Sequence, residues 1–136
     1  SNPQANIRLL RPEDLSAFEN RGGSLIGISR FSPLKSADDL AKLRLNFKEN
    51  GINNLIVIGG EGSAYLSLKL SEALSEIKII HVPKTIDNDL NLPNNEPSFG
   101  FETAKDVGTK ILRLLNVDAA TTRRWFLVTT MGRRSG

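Results

Sequence analysis

Hydrophobic and polar positions alternate along the middle of the chain in a pattern that predicts strands separated by helices. Residues 55–58 form a continuous apolar run of strand-forming types, which is typical of a parallel strand buried on both faces. After a glycine-rich stretch, apolar residues recur at helical spacing between 65 and 74, and residues 77–82 form a second short apolar run. We therefore predict a strand, a helix and a strand in this order.

The N-terminal part of the chain carries two helix signals. Pro12 and the acidic residues after it predict a helix over 12–21, and the apolar residues that follow predict a strand over 25–29. Ser36, with Asp39 three positions later, predicts the capped start of a second helix that ends near Asn50 and Gly51.

The C-terminal part begins with a long polar segment. Residues 83–100 are rich in Pro, Asn, Asp and Gly, and loops of this length in compact domains are usually functional or mobile. Helical spacing resumes over 101–115, and residues 125–129 predict a last strand.

Strands that alternate with helices predict an α/β fold, a parallel sheet with helices on both faces and right-handed crossovers. Ligands of such sheets bind at the carboxyl ends of the strands. Residues 59–63, 83–89 and 131–136 each directly follow a predicted strand, so we expect them to gather at one edge of the sheet. Residues 1–24 are predicted to be a helical lead-in and residues 25–136 the main α/β part.

The composition and charge of the chain are typical of a soluble globular protein. A chain of 136 residues, 39% hydrophobic and 24% charged, is an ordinary globular chain with one core. The net charge of +3 suits anionic ligands such as phosphates but is too small to indicate nucleic-acid binding. No apolar segment approaches a membrane span and no signal peptide is recognisable, so a cytoplasmic protein is expected.

Two residue types limit the chemistry. Cysteine is absent, which excludes disulfides, thiolate zinc sites and cysteine nucleophiles. His81 is the single histidine and lies inside an apolar run, so we interpret it as a packed residue with a satisfied hydrogen bond.

The sequence Gly59-Gly60-Glu61-Gly62-Ser63 lies between a predicted strand and a predicted helix. Glycines let the backbone approach a ligand closely, and the N–H groups at a helix start can donate to phosphate oxygens. Glu61 adds a possible metal ligand. The alternative is a tight turn with Ser63 as a cap, and the motif matches neither the Walker A pattern nor GxGxxG.

The sequence Pro83-Lys84-Thr85-Ile86-Asp87-Asn88-Asp89 combines two carboxylates with a hydroxyl and a cation. Phosphoryl transfer needs a proton acceptor for the attacking hydroxyl, oxygen ligands for Mg²⁺ and donors for the transferred group, and this segment supplies all three. The alternative is that Asp87, Asn88 and Asp89 only shape a turn through local hydrogen bonds.

Two arginine pairs flank the last predicted strand. Arginine forks match phosphate geometry, although most such pairs form a solvated edge. Arg123 and Arg124 precede the strand, whereas Arg133 and Arg134 follow it. Both pairs can therefore serve one site only if a partner subunit contributes.

Taken in order, these motifs resemble those of 6-phosphofructokinases. The glycine-rich pentapeptide is similar to the family's Gly-Gly-Asp-Gly-Ser, and residues 83–89 are similar to its Pro-Gly/Lys-Thr-Ile-Asp-Asn-Asp. Further similarities are the segments 21–24, 29–31, 100–104 and 131–133. The resemblance implies a Rossmann-like phosphofructokinase fold, with residues 25–136 as the central part of its catalytic domain.

The resemblance also implies roles at the donor side of the site. Asp87 would be the base for the 1-hydroxyl of fructose 6-phosphate, and Thr85 would steady the transferred phosphoryl group. Glu61 and Asp89 would hold Mg²⁺. The residues implied to bind the nucleotide are Arg30, Gly60, Glu61, Gly62 and Ser63.

On the sugar side, the resemblance implies that Met131, Gly132 and Arg133 hold fructose 6-phosphate together with Thr85 and Asp87. Arg133 would also take part in catalysis. Arg124 would reach the sugar phosphate of a neighbouring subunit, which implies a homo-oligomer, a dimer or a tetramer. No nucleic-acid or membrane partner is implied.

Three departures from the family pattern leave alternatives open. Glu61 stands where the family usually has Asp, so a non-catalytic regulatory paralogue is one alternative. The chain lacks the family's N-terminal strand and glycine-rich loop and its later half, so we expect it to be inactive alone. Lys84 resembles the residue of pyrophosphate-using relatives, whereas Gly62 resembles that of ATP users, and we favour ATP as the donor.

Related kinases acting on NAD or diacylglycerol fit less well, because their motifs do not explain residues 131–133 or the Asp-Asn-Asp loop.

Overall fold

A computed structural model describes residues 7–29 and 32–132 of the chain. The chain divides into two compact units, Ser1–Gly51 and Ile52–Gly136. Within the described residues, no helix has the length and apolar character that a membrane span requires.

The first unit contains two helices, α1 (Pro12–Ser16) and α2 (Ala37–Glu49). The Ser36 side chain accepts a hydrogen bond from the Asp39 N–H at 3.1 Å, which confirms the predicted cap of α2. The helix ends at Glu49 with Asn50 as its C-cap, as predicted, and Gly51 follows with a φ of 64° that favours glycine.

Two predictions for the first unit were wrong. Helix α1 ends at Ser16 and does not continue to residue 21, and residues 25–29 do not form a strand. Ile26 and Ile28 are 81% and 95% exposed. An apolar segment becomes a strand only where a neighbouring strand can pair with it, and the described residues of this unit offer none.

The second unit contains the α/β arrangement that was predicted. Its elements are β1 (Asn54–Gly59), α3 (Glu61–Ala73), β2 (Lys78–Pro83), a short 3-10 helix (Pro93–Asn95) and α4 (Phe101–Thr122). The two strands pair in parallel, from Asn54 opposite Lys78 to Gly59 opposite Pro83. This register brings the carboxyl ends of both strands to the same level.

Helix α3 packs against both strands, and it supplies Leu70 to the core while Leu74 and Ile77 follow its end. Leu70, Leu74 and Ile77 are the buried hydrophobic residues among those described. The other face of the strands remains open, because Ile56, Ile58 and Ile80 are all more than 60% exposed. The prediction that the first apolar run is buried on both faces is therefore wrong. Helix α3 covers one face of the two strands, and the other face is exposed.

Helix α4 is longer than predicted, since it continues beyond residue 115 to Thr122. Ion pairs one turn apart lie along it, such as Lys110 with Asp106 at 2.6 Å. The strand predicted over 125–129 is not formed, and Trp125 is fully exposed. As with residues 25–29, the described residues supply no strand to pair with this segment.

Candidate active site

The turn between β1 and α3 is built around glycines. A Cβ atom on Gly59 would lie 2.2 Å from the Ser63 Oγ and 2.8 Å from its Cβ, so a side chain at position 59 would collide with Ser63. A Cβ atom on Gly60 would lie 3.4 Å from the Thr85 Cβ. The glycine-rich turn and the segment after β2 are therefore in direct contact, as the parallel topology predicted.

Hydrogen bonds extend this contact beyond the end of the two strands. The Gly59 carbonyl accepts from the Lys84 N–H at 2.9 Å and also from the His81 Nε2 at 3.0 Å. Because a carbonyl oxygen can only accept, the Nε2 atom carries the proton. His81 thus has a satisfied structural hydrogen bond, which confirms its interpretation as a packed residue.

The segment that carries the two carboxylates is folded as a turn. The Asp87 N–H donates to the Thr85 Oγ1 at 3.0 Å, and Asn88 adopts a φ of 49°. Local side-chain hydrogen bonds therefore do shape this segment, as the alternative interpretation held. Asp87 is half-buried, and its backbone N–H is the group that bonds within the turn.

The far end of the loop returns to the strands. Phe99 donates to the Pro83 carbonyl at 3.0 Å, and its own carbonyl accepts from the Thr85 N–H at 3.1 Å. Phe99 thus pairs with Lys84 as a parallel bridge beside β2. Residue type and spacing indicated no role for this part of the loop, because a single bridging residue has no periodicity. The one available signal was the length of the segment, which indicated a loop with a function.

A cavity of about 520 Å³ lies between the loop, the first turns of α4 and the C-terminal segment. Ile86, which precedes Asp87, lines it together with Phe101, Lys105 and Met131. The Lys105 ammonium lies 5.6 Å from the centre of the Phe101 ring, so the described lining combines a cationic group with mostly apolar walls. The cavity brings Met131 close to the segment that carries Thr85 and Asp87.

The two predicted metal ligands are carboxylates on neighbouring segments. Glu61 is the first residue of α3, and Asp89 follows Asn88 in the loop. Among the described residues, no group of three or more acidic or histidine side chains is arranged to hold a metal ion. Mg²⁺ often binds through one or two carboxylates together with substrate phosphates and water, and this donor set fits that manner of binding.

The structure describes only some of the remaining predicted site residues. Arg30 and Arg133 lie outside the described residues. Arg124 is exposed just beyond the end of α4, and Gly132 has a φ of 139°, which disfavours other residue types. Ser63 is used internally, since its side chain fills the space above Gly59.

The fold and site define an α/β protein with a glycine-rich turn and an acidic loop at the carboxyl ends of two parallel strands. The Phosphofructokinase family model matches residues 3–136, and the chain belongs to this family.

Curated relatives of two donor types are similar to the chain. A pyrophosphate–fructose 6-phosphate 1-phosphotransferase of Thermotoga maritima is 46% identical over 131 residues, which are 96% of this chain and 31% of the relative. An ATP-dependent 6-phosphofructokinase of Corynebacterium efficiens is 36% identical over 132 residues, which are 96% of this chain and 36% of the relative. The chain thus spans about a third of the length of these relatives.

Proposed function

We propose that the chain is part of an enzyme that transfers the terminal phosphoryl group of ATP to the 1-hydroxyl of fructose 6-phosphate. The observation that carries this proposal is the close approach of Gly60 to Thr85. It puts a turn that can hold donor phosphates directly beside the loop that carries the Asp87 carboxylate. Membership of the phosphofructokinase family supports the same reaction.

In the proposed reaction, Asp87 takes the proton of the 1-hydroxyl as the hydroxyl oxygen attacks the terminal phosphorus. The bond from that phosphorus to the bridging oxygen breaks, and ADP leaves with the bond electrons. Thr85, which follows β2, and Arg133 stabilise the charge on the transferred group. Mg²⁺, held by Glu61 and Asp89, would neutralise phosphate charge when bound.

The remaining assigned residues bind the two substrates. Gly60, Gly62 and Ser63 at the start of α3 hold the donor phosphates, with Arg30 as a further donor contact. Met131, Gly132 and Arg133 hold the sugar phosphate, and the cavity beside Ile86 supports this position for Met131. Arg124 is exposed, which suits a contact with the sugar phosphate of a second subunit in a homo-oligomer.

ATP is proposed as the donor because of Gly62. A Cβ atom on Gly62 would meet nothing within 4 Å, so there is space at this point for nucleotide phosphates. Pyrophosphate is the second candidate. Lys84 and the name of the Thermotoga maritima relative favour it.

We further propose that a longer cytoplasmic enzyme carries this chain and that residues 25–136 form the central part of its catalytic domain. This longer protein is called the parent enzyme below. The chain spans about a third of the length of its relatives, which supports this view. Further residues that bind the two substrates would then come from the rest of the enzyme.

The test of the proposed function is the variant Asp87→Ser in the parent enzyme, assayed with fructose 6-phosphate and each donor. We expect kcat to fall by about 10²–10⁴-fold with little change in sugar binding, because a base acts mainly in the transition state. Asp106→Ser is the matched control. Its carboxylate lies on α4, paired with Lys110 at 2.6 Å, and its loss should leave kcat nearly unchanged.

Two results would overturn the proposal. A wild-type parent that transfers a phosphoryl group from neither donor would favour a non-catalytic paralogue. An unchanged kcat in the Asp87→Ser variant would show that Asp87 is not the base.

A further inference from the structure

Ser98 is nearly inaccessible although it lies in a loop, with 3% of its surface exposed. All of its polar groups are used. Its N–H donates to the Asn88 Oδ1 at 2.9 Å, and its hydroxyl donates to the Thr85 carbonyl at 3.0 Å. Its carbonyl accepts from the Phe101 N–H at 3.2 Å, in the first turn of α4.

These bonds close the loop on itself around Asp87. Thr85 and Asn88 flank the Ile86-Asp87 pair, and Ser98 contacts both of them across a sequence separation of ten residues or more. A third contact runs within the turn, because the Thr85 Oγ1 accepts from the Asp87 N–H. Ser98 therefore holds the Thr85 backbone through its hydroxyl and the Asn88 side chain through its N–H, on the two sides of Asp87.

The Ser98 hydroxyl is the part of this arrangement that only serine or threonine can supply. Its removal leaves the N–H and carbonyl bonds of residue 98 in place but deprives the partly buried Thr85 carbonyl of a donor. A buried acceptor without a partner is costly, so the segment would shift to find water or another donor. A shift of about 1 Å at a reacting group can slow catalysis about 100-fold.

We propose that Ser98 is a positioning residue, whose hydroxyl fixes the Thr85–Asn88 turn so that the Asp87 carboxylate faces the sugar hydroxyl. This inference rests on the proposed function of Asp87 as the base. Ser98 itself contacts neither substrate. It acts through the carbonyl of Thr85 and the side chain of Asn88.

The experiment compares Ser98→Ala with Ser67→Ala in the parent enzyme. Ser67 is a matched control, since it is also nearly buried and its hydroxyl also donates to a backbone carbonyl, that of Ser63 at 2.7 Å. That carbonyl lies within α3 and keeps its intrahelical bond in the variant. We measure kcat and KM for fructose 6-phosphate with the preferred donor at saturating Mg²⁺.

We expect Ser98→Ala to lower kcat by about 10- to 100-fold while KM changes by less than about threefold, because the turn is displaced but the sugar contacts remain. Ser67→Ala should change kcat by less than about twofold. A folded Ser98→Ala enzyme with the kcat of the wild type overturns the positioning role. A wild type without activity on either donor instead overturns the proposed function, so the two failures are distinguishable.

Hydrogen exchange on the wild-type enzyme provides a measurement that does not depend on the variant folding. The amides of Asp87, Ser98 and Phe99 should exchange at least about 100-fold more slowly than in an unstructured chain, because each donates within the loop. Exchange of the Asp87 and Ser98 amides at the unstructured rate would mean that the loop is not held, and the inference would fail.

Discussion

Gly59, Gly60 and Gly62 lie within four positions of one another, yet each has a different steric surrounding. Gly59 is required by Ser63, a Cβ on Gly60 would make an ordinary van der Waals contact of 3.4 Å with Thr85, and a side chain on Gly62 would point into open space. Gly59 is therefore explained by the fold itself. Gly62 is not, and a bound ligand at the start of α3 gives it a reason.

The donor can be tested at this residue. Gly62→Asp in the parent enzyme should lower kcat/KM for ATP far more than for pyrophosphate, because a carboxylate there would occupy the space of the nucleotide phosphates and repel their charge. Since the added Cβ meets no protein atom, the fold should tolerate the change. The measurement is the ratio of kcat/KM for the two donors, in which tenfold corresponds to about 1.4 kcal/mol.

Gly62→Asn is the matched control for this experiment, because Asn has nearly the size of Asp without its charge. If Asn reduces ATP use as strongly as Asp, the effect is steric. An unchanged donor ratio in Gly62→Asp would separate Gly62 from donor choice. If the wild-type enzyme already prefers pyrophosphate, then Lys84 indicates the donor correctly and the proposal of ATP is wrong.

At the scale of elements, the pattern of apolar residues correctly predicted those helices and strands whose packing partners lie nearby in the sequence. Strands β1 and β2 and helix α3 form one compact strand-helix-strand unit, so their apolar runs were sufficient to find them. Residues 25–29 and 125–129 have the same kind of pattern but no strand beside them in the described chain. A strand depends on its neighbours, which periodicity cannot reveal.

Part of the candidate site could also be predicted from the sequence. The contact between the glycine-rich turn and Thr85 followed from parallel topology, because carboxyl ends of neighbouring parallel strands meet at one edge. The roles of Ser98 and Asn88 did not follow. Their hydrogen bond depends on how a long loop folds back, and neither residue type nor spacing encodes that path.

The junction of β1 and α3 provides a stability test. Gly59→Ala in the parent enzyme should cost about 1–3 kcal/mol, since the new methyl group would overlap the Ser63 side chain, whose Cβ cannot move without its backbone. The readout is the midpoint of thermal unfolding. Gly62→Ala is the control three positions later, where a methyl group has space and alanine is the better helix former. Equal midpoints for the two variants would contradict the steric account.

At the scale of the whole molecule, the chain carries more apolar surface than its own residues cover. The open face of the two strands presents Ile56, Ile58 and Ile80, and α4 exposes Val107, Ile111 and Leu114. Patches of this kind are unusual on an isolated soluble protein. Together with the third of the relatives' length that the chain spans, they support the proposal that further polypeptide completes the enzyme.

The last prediction compares the 136-residue chain with the parent enzyme. The isolated chain should bind a hydrophobic fluorescent dye strongly, because its apolar faces are open, and it should phosphorylate fructose 6-phosphate with neither ATP nor pyrophosphate. The parent should bind little dye and be active. Replacing Ile56 and Ile80 by Thr, which keeps the β-branched shape, should lower dye binding by the isolated chain. Turnover by the isolated chain at a rate near that of the parent would show that these residues suffice for the reaction, and the proposed dependence on further polypeptide would be wrong.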